Sequence, residues 1–364
     1  MSYLSRIAQT HASFELSREE LAYYARHILL PGIGLAGQRK LKAARVLVVG
    51  AGGLGCPVLQ ALAGAGVGYL TVVDGDRISI SNLSRQWLHR YADAGGNKAD
   101  SAASALRSLN PFIEVASQPE MLTPGNAKSL IQSHDLVIDA TDDLDARYWI
   151  DEACGALDCP WVHAALYRDR AQLTVFWASC GAGFRKLYPE PSEAPSCSGS
   201  GMIGASASIV GNLQALEAIK LITGSSAPKI GDLVSLDTAG LNLQSFKIPE
   251  VTAPSTYVDR DKAPSARAVS VESLWQALSI HEAVQFFDLR SQSRFDEATI
   301  PDAVHFPAER MLEDGFAENV RGKVVLFCEE GLMSAIIAEA LDHESKPIYY
   351  LEGGFQAWSE FEAV

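Results

Sequence analysis

Short apolar runs alternate with stretches of helical periodicity along about the first two thirds of the chain. Runs rich in β-branched residues indicate strands. They lie at 46–49, 69–73, 136–139, 161–165 and 172–177. Apolar positions three and four residues apart indicate helices at 98–109, 144–157 and 208–222, and an amphipathic helix at 16–30 with Ser17 as N-cap. This alternation predicts a Rossmann-like doubly wound α/β sheet.

A second and smaller α/β pattern begins near residue 268. Before it, residues 249–267 lose hydrophobic periodicity and contain three prolines, as is typical of a linker. Strand-like and helix-like segments then alternate at 271–279, 284–288, 323–327, 333–342 and 347–351. The predicted organisation is a domain over 1–248, a linker over 249–267 and a small α/β domain over 268–364.

The chain has 364 residues, which is enough for two domains that each bury a core. A formal net charge of −14 argues against a nucleic-acid partner, because phosphate binding needs a basic face. An uncharged stretch at 46–73 has the length of a membrane span, but its glycines and β-rich ends indicate strand, helix and strand instead. Six cysteines without a secretory signal favour reduced thiols. We expect a cytoplasmic protein without a membrane partner.

A glycine-rich turn follows the first predicted strand. It contains Gly50, Gly52, Gly53 and Gly55, in the pattern G-x-G-x-x-G with one additional glycine. Such a turn between a strand and a helix holds phosphate on helix N-terminal amides, and an acid about twenty residues later, here Asp74, holds a ribose. Taken alone, the turn predicts an NAD-dependent oxidoreductase.

Polar residues that follow the turn in the sequence favour a different ligand. Asn82 and Arg85 lie in the segment 81–86, Lys98 opens a predicted helix, and the segment 141–143 adds the carboxylate of Asp142. An amide, two cations and a carboxylate suit a triphosphate and its metal ion. An oxidoreductase would leave Arg85 and Lys98 without a role.

These ordered motifs resemble the MoeB/ThiF adenylyltransferases, which are relatives of the ubiquitin-activating enzymes. The likeness rests on the segments 48–56, 74–76, 81–86 and 139–143 and on Lys98, within a match that runs from Tyr24 to Lys220. It implies an enzyme that uses ATP and Mg²⁺ to join the C-terminal carboxylate of a carrier protein to AMP.

The resemblance also implies roles for single residues. Asp74 would bind ribose, and Asn82, Arg85 and Lys98 would contact phosphates or the neighbouring ribose. Asp142 would hold Mg²⁺, and Arg26 would reach into the partner subunit's site of a homodimer. Asp143 stands where the family commonly has Asn, so its direct role in the nucleotide site stays open.

The second pattern resembles the rhodanese sulfurtransferases, through the segments 287–290, 294–303, 328–334 and 351–358. The resemblance implies that Cys328 carries a persulfide, and loop amides with a helix N-terminus would stabilise its anion. Met333 stands where many relatives carry Arg, and Glu329 and Glu330 add negative charge. We therefore expect slow turnover of thiosulfate, a dianion, and supply of sulfur by a protein persulfide, for instance on a cysteine desulfurase.

Of the remaining cysteines, one is a candidate for a role in sulfur transfer, and the others are expected to have structural roles. Cys197 matches a crossover-loop cysteine of MoeB/ThiF relatives that can resolve an acyl disulfide, although a packing role stays open. MoeB-like enzymes usually have two Cys-x-x-Cys pairs that bind zinc, and this sequence contains no such spacing. We therefore expect no structural zinc, as in some rhodanese-fused relatives. Structural roles are expected for Cys56, Cys154, Cys159 and Cys180.

Taken together, the two resemblances imply one homodimeric enzyme. It would adenylate the C-terminal Gly-Gly of a small ubiquitin-like sulfur-carrier protein and then transfer sulfur from Cys328 to form a thiocarboxylate. Two alternatives are an NAD-dependent oxidoreductase and a carrier-binding scaffold that has lost its activity.

Overall fold

A computed structural model of the protein describes residues 14–189, 201–249, 251, 266–279, 283–314, 322–341 and 347–362. Cys197 and most of the predicted linker lie outside the described residues. The chain divides into two compact units, which are described separately. The large unit comprises the described residues of 1–14 and 39–257, and the small unit those of 15–38 and 258–364.

Helices and strands alternate along both units. The strands are β1 Arg45–Val49, β2 Tyr69–Val73, β3 Glu114–Gln118, β4 Leu136–Asp139, β5 Trp161–Tyr167, β6 Arg170–Phe176, β7 Asp232–Asp237, β8 Asn242–Lys247, β9 Arg267–Val269, β10 Val284–Asp288, β11 Val304–His305, β12 Lys323–Phe327 and β13 Ile348–Leu351. The α-helices are α1 Arg18–Tyr23, α2 Ala25–Ile28, α3 Gly34–Ala43, α4 Gly55–Ala65, α5 Lys98–Leu109, α6 Ala127–Ile131, α7 Leu144–Leu157, α8 Phe184–Leu187, α9 Gly204–Thr223, α10 Val271–Ser279, α11 Gln292–Glu297, α12 Ala308–Asp314, α13 Leu332–Leu341 and α14 Gly354–Glu362.

The described part of the large unit is built on one sheet of eight strands, in the order β3-β2-β1-β4-β5-β6-β7-β8. The strands from β3 to β5 in that order are parallel, and β6, β7 and β8 continue the sheet antiparallel. Val46 and Val48 of β1 share a core with α4, α5 and α9, whereas Leu47 and Val49 share another with α6 and α7. Helices therefore cover both faces, which confirms the doubly wound fold predicted from the sequence.

The order of the strands reverses beside β1. From β1 the chain continues to β2 and β3 on one side, and it then returns to β4 and β5 on the other. The carboxyl ends of β1 and β4 thus flank a topological switch point, which is where open α/β sheets bind their ligands. Gly50 and Ala140, the residues that follow these two strands, lie at this edge.

The small unit contains, within its described residues, a parallel sheet of five strands in the order β11-β10-β12-β13-β9. Its core includes Met311 and Ile337 together with Leu21 and Ile28 from the N-terminal helices. Residues 15–38, which were predicted as part of the first domain, are grouped here with the small unit, and Leu21, Tyr24, Ala25, Ile28 and Leu35 are buried in its core.

The N-terminal segment also differs in detail from the predicted helix at 16–30. It forms the two short helices α1 and α2, which are separated at Tyr24, where φ is −97° and ψ is 13°. The predicted cap is confirmed, because the Ser17 hydroxyl accepts a hydrogen bond from the Glu20 amide and the Glu20 carboxylate accepts one from the Ser17 amide.

No helix in the described part of the chain is both long and apolar enough to cross a membrane.

A buried amide joins the C-terminal ends of α4 and α5. Asn110 Nδ2 donates to the Ala63 carbonyl at 2.7 Å, and its Oδ1 accepts from the Phe112 amide at 3.0 Å. We predict that Asn110→Ala lowers the free energy of unfolding by about 1–3 kcal/mol, because it leaves buried polar groups without partners. Asn212 is the matched control, since its Nδ2 donates to the helical carbonyl of Ser208 at an exposed position.

Denaturant unfolding, followed by circular dichroism, would compare the two variants with the unmodified protein. Asn212→Ala is expected to change stability by less than about 0.5 kcal/mol. Equal stability of the two variants would contradict the structural role given to Asn110.

Candidate active sites

The glycine turn is shaped by close contacts between backbones. Gly50 has φ +100°, and a Cβ atom there would lie 2.6 Å from the Ala140 carbonyl oxygen and 3.1 Å from the Thr141 amide nitrogen. A Cβ atom on Gly55, at the start of α4, would overlap the carbonyl oxygen of Gly50. The turn therefore packs directly against the segment that follows β4 and presents the positive end of the α4 dipole.

Asp74 fixes this turn from the neighbouring strand. Its Oδ2 accepts from the Ala51 amide at 2.7 Å, and its Oδ1 accepts from the Asp76 amide at 2.9 Å. Burial raises the pKa of this carboxyl group, against the lowering effect of the Ala51 hydrogen bond and of the Lys98 charge. Each oxygen has a second lone pair that a ribose hydroxyl can use.

Lys98, the first residue of α5, is buried at 7% exposure. Its Nζ lies 2.7 Å from Asp76 Oδ2, at a carboxylate that is 60% exposed. No role was predicted for Asp76 from the sequence. The ion pair orients the ammonium group, and a phosphate would compete with Asp76 for it.

Asn82 and Arg85 lie in the loop between β2 and α5. Asn82 Oδ1 accepts from the Ser79 amide at 3.2 Å and closes a 3₁₀ turn at Ile80–Asn82. Arg85 donates through Nη1 to the Ser81 carbonyl at 3.2 Å. A Cβ atom built on Gly53 would lie 3.7 Å from Arg85 Cδ, which brings the arginine stem beside the glycine turn.

The two aspartates after β4 make different contacts. Asp143 is the N-cap of α7, with its Oδ1 accepting from the Asp145 amide at 2.9 Å. Asp142 is exposed and, among the described residues, its carboxylate has neither a hydrogen bond nor an ion pair. An uncommitted carboxylate fits Mg²⁺, which commonly binds to one or two protein carboxylates together with substrate phosphates and water.

Arg26, predicted to act in a partner's nucleotide site, lies on α2 in the small unit. Its Nη1 is 2.6 Å from Glu309 Oε1, and its side chain remains 80% exposed. Both members of this pair are too solvated for a strong interaction. Another anion could therefore exchange with Glu309 at little cost.

One buried histidine at the glycine turn was missed by the sequence analysis. His89 Nε2 lies 2.9 Å from the Ala51 carbonyl, and its Nδ1 lies 3.0 Å from Ser101 Oγ. Burial lowers the pKa of His89, so that at neutral pH the ring is uncharged and donates from Nε2 to the carbonyl. It follows a loop without clear periodicity, so no sequence signal pointed to it.

In the small unit, Cys328 follows β12 and is buried. The Ser334 amide donates to its Sγ at 3.4 Å, and the thiol lies 3.5 Å from Ser334 Oγ, which itself donates to the Gly331 carbonyl at 2.9 Å. Ser334 lies in the first turn of α13. The sulfur therefore faces a helix N-terminus, whose amides can donate hydrogen bonds to it.

The adjacent helix α14 holds the loop that contains Cys328. The Phe355 amide donates to the Cys328 carbonyl at 2.8 Å, and the Gln356 amide donates to the Glu329 carbonyl at 3.0 Å. Gly354 has φ +62°, and a Cβ atom there would lie 2.5 Å from the Cys328 carbonyl oxygen. The Gly353-Gly354 pair of the rhodanese-like ending therefore has a steric explanation.

Arg290 balances one of the two acids of this loop. Its Nη1 lies 3.3 Å from Glu329 Oε2, and its Nη2 lies 2.8 Å from the buried Asp288 Oδ2. The guanidinium also stacks 3.9 Å from the centroid of the Phe355 ring. Both glutamates are exposed, but Glu329 is paired with a fixed cation, whereas Glu330 has no ion pair within the described part of the chain.

Comparison with known proteins also divides the chain into two parts, although residues 24–38 fall in the first of them. A model of the ThiF family matches residues 24–256, and a model of the rhodanese-like domain matches residues 270–361. The probable adenylyltransferase/sulfurtransferase MoeZ of Mycobacterium tuberculosis is 36% identical over 372 residues, which cover 95% of this chain and 94% of MoeZ. The adenylyltransferase and sulfurtransferase MOCS3 of Drosophila sechellia is 33% identical over 382 residues, which cover 95% of this chain and 84% of that protein.

Solved structures of low sequence identity match the fold over 64% of the chain. The crystal structure of PaaA matches with a TM-score of 0.56 and 24% identity, over 64% of this chain and 75% of PaaA. MccB of E. coli, solved with MccA-N7isoASN, matches with a TM-score of 0.56 and 21% identity, over 64% of this chain and 73% of MccB. With family matches over both halves and relatives aligned over nearly its whole length, the chain belongs to the ThiF family and carries a C-terminal rhodanese-like domain.

Proposed function

We propose that the protein adenylates the C-terminal carboxylate of a small ubiquitin-like sulfur-carrier protein and converts it to a thiocarboxylate. It is an adenylyltransferase and a sulfurtransferase, as its relatives MoeZ and MOCS3 are named. The observation that supports the proposal is the glycine turn, which has the Arg85 stem beside it and packs against the segment that leads to Asp142, in a chain that also has a cysteine at a helix N-terminus.

Adenylation needs positioning and charge stabilisation rather than a general base. A peptide α-carboxyl group has a pKa of about 3.5, so the carrier's carboxylate is already an anion at neutral pH. One of its oxygens attacks the α-phosphorus of ATP, the bond to pyrophosphate breaks, and an acyl-adenylate forms. The enzyme must hold two anions together and stabilise charge on the phosphate oxygens.

In this proposal, the nucleotide binds at the switch point of the large sheet. The glycine turn and the α4 N-terminus bind phosphate, Asp74 binds the ribose, and Asn82, Arg85 and Lys98 contact phosphates or the neighbouring ribose. Asp142 would hold Mg²⁺, which would neutralise phosphate charge. Asp143 stays with its capping role, and Arg26 of a second subunit completes the site in a homodimer.

Sulfur transfer belongs to the loop that contains Cys328. The terminal sulfur of a Cys328 persulfide attacks the acyl carbon, and AMP leaves with the electrons of the bond that breaks, which gives an acyl disulfide. A thiolate from Cys197 or an external thiol then attacks the Cys328 sulfur. The carrier's thiocarboxylate is the leaving group, and a disulfide remains at Cys328. The Ser334 amide stabilises the anionic sulfur at the start of the sequence.

We propose further that the sulfur comes from a protein persulfide, for instance on a cysteine desulfurase. A protein donor transfers a neutral sulfur atom and gains affinity from surface outside the loop. The enzyme acts in the cytoplasm, uses ATP and Mg²⁺, and contains no structural zinc. Neither nucleic acid nor a membrane is among its partners.

The first prediction concerns the nucleotide site. Pyrophosphate should exchange into ATP in the presence of carrier and Mg²⁺. Arg85→Ala, Lys98→Ala and Asp142→Ala should each reduce this exchange by about 100-fold or more, because each removes a charge that stabilises the transferred phosphate. Exposed groups of the same charge, Lys128 on α6 and Asp145 on α7, supply the controls.

Lys128→Ala and Asp145→Ala should retain exchange within about threefold. Tight binding of NADH without binding of ATP would contradict the adenylation proposal and support an oxidoreductase. Carrier binding without any exchange by the unmodified protein would support an inactive scaffold.

The second prediction separates the two activities. Cys328→Ala should abolish thiocarboxylate formation from a persulfide donor, because the attacking sulfur atom is lost, while pyrophosphate exchange stays within about twofold. Mass spectrometry of the carrier gives the first quantity and labelled pyrophosphate gives the second. Cys180→Ala, at another buried free cysteine, is the control. Normal thiocarboxylate formation by Cys328→Ala would refute this assignment.

The third prediction concerns the choice of sulfur donor. Thiosulfate turnover should be slow and should rise with ionic strength, because salt screens the repulsion between the dianion and the loop. Arg290 already balances Glu329. Replacing the exposed Glu330 together with Met333, as Glu330→Gln with Met333→Arg, should therefore raise thiosulfate turnover by about tenfold. Fast thiosulfate turnover by the unmodified protein would contradict the prediction.

Glu114→Lys on the large unit raises the net charge by two, as Glu330→Gln with Met333→Arg does, and should leave thiosulfate turnover unchanged. An equal gain in that variant would show that total charge, rather than the loop, controls the reaction.

A further inference from the structure

A fully buried carboxylate lies at the end of β4, three residues before Asp142. Asp139 has no exposed surface, and burying a charged group without partners is costly. Its Oδ1 accepts from the Thr141 amide at 3.2 Å, and its Oδ2 lies 2.7 Å from His163 Nδ1. One carboxylate thus binds both the turn that follows β4 and a side chain of the neighbouring strand β5.

Arg147 holds the same turn from the other side. Its Nη2 donates to the Thr141 carbonyl at 2.9 Å, and its Nε lies 3.3 Å from Asp139 Oδ2. Arg147 belongs to the first turns of α7, and only 14% of its side chain is exposed. Charged groups therefore hold both the amide and the carbonyl of Thr141, which is the residue directly before Asp142.

His163 contacts the Asp139 side chain from the neighbouring strand β5. Its ring lies among the rings of Trp161, Phe176 and Phe184, at centroid distances of 5.5–5.8 Å. Burial lowers the pKa of His163 against the raising effect of Asp139, so the ring is neutral and donates from Nδ1. An aromatic cage around a neutral donor leaves its ring little freedom to turn.

The neighbouring helix reinforces the same strand end. Gln214 of α9 donates through Nε2 to the Asp139 carbonyl at 2.6 Å. The backbone and the side chain of Asp139 are thus both engaged, by α9, by β5 and by the turn itself. The glycine turn packs on this segment as well, through Gly50 and Ala140.

We propose that His163, Asp139 and Arg147 are positioning residues for Asp142. They hold the turn at 140–143 in one conformation, so that the Asp142 carboxylate is prepared for the metal–nucleotide complex before it arrives. The inference rests on the proposed function, in which Asp142 holds Mg²⁺ with ATP. Neither the glycine turn nor the charged residues that follow it in the sequence indicated a role for His163.

The test compares His163→Leu with His163→Asn. Leu fills much of the space without a donor, whereas the Asn side chain restores an N–H group that can reach Asp139. Binding of Mn²⁺ to the protein with a non-hydrolysable ATP analogue would be measured by electron paramagnetic resonance. The Mg²⁺ dependence of pyrophosphate exchange would be measured in parallel.

For His163→Leu we expect about tenfold weaker Mn²⁺ binding, and about tenfold more Mg²⁺ for half-maximal exchange, which corresponds to about 1.4 kcal/mol. At saturating Mg²⁺ the exchange rate should stay within about twofold. His163→Asn should recover most of the metal affinity. Arg147→Lys keeps the positive charge but loses the guanidinium group that holds the Thr141 carbonyl, so it should also weaken metal binding. This variant replaces His163→Leu in the test if His163→Leu does not fold.

Phe184→Leu is the control for packing, because it alters the same aromatic cluster without touching Asp139. It should lower the melting temperature and leave the Mn²⁺ affinity unchanged. Equal loss of metal affinity in Phe184→Leu and His163→Leu, or unchanged affinity in His163→Leu and Arg147→Lys, would overturn the positioning role alone. Absence of nucleotide-dependent Mn²⁺ binding by the unmodified protein would overturn the proposed function and this inference with it.

Discussion

The close approach of two backbone segments at the switch point is the constraint on which the candidate nucleotide site depends. Gly50 touches the carbonyl of Ala140, and Gly55 leaves no room for a side chain against Gly50. Because these contacts are between backbones, a shift of either segment would be transmitted to the other. The amides of the glycine turn after β1 and the segment that carries Asp142 after β4 are thereby brought to one edge of the sheet.

A second theme is the use of ion pairs to orient charged groups before any ligand binds. Lys98 is held by Asp76, and Arg290 is held by Asp288 and Glu329. Preorganised charges need little reorganisation during the reaction, which is why they stabilise transition states well. In the small unit, the ion pair between Arg290 and Glu329 has a further effect. It balances one of the two glutamates next to Cys328, so the loop is less negative than its sequence alone indicates.

Much of the large unit was predictable from local pattern. The strands β1, β2 and β4 and the helices α5 and α7 agree with the predicted segments, because buried parallel strands are continuous apolar runs and their helices have clear periods. The strand β3, Glu114–Gln118, was missed because only one of its residues is fully buried. The grouping of residues 15–38 with the small unit depends on long-range packing, which no local pattern encodes.

The candidate sites followed the same division. The glycine turn, Lys98, Asp142 and Cys328 stand in motifs of fixed spacing, so their positions could be inferred from the chain alone. His89, Asp76, His163 and Arg290 gain their roles from contacts that the folded chain makes across strands or loops. His163 and Asp139 are separated by 24 residues, and Arg290 and Glu329 by 39 residues. Such partners become visible only in the folded chain.

The central claim is that one chain activates a carboxylate with ATP and then replaces one of its oxygens with sulfur. Mass spectrometry of a carrier that ends in Gly-Gly tests it most directly, after incubation with the unmodified protein and Mg²⁺-ATP, with and without a persulfide donor. The account predicts an AMP adduct at the carrier's C-terminus without the donor, and a thiocarboxylate with it. A carrier that stays unmodified in both reactions, although it binds the protein, would contradict the account.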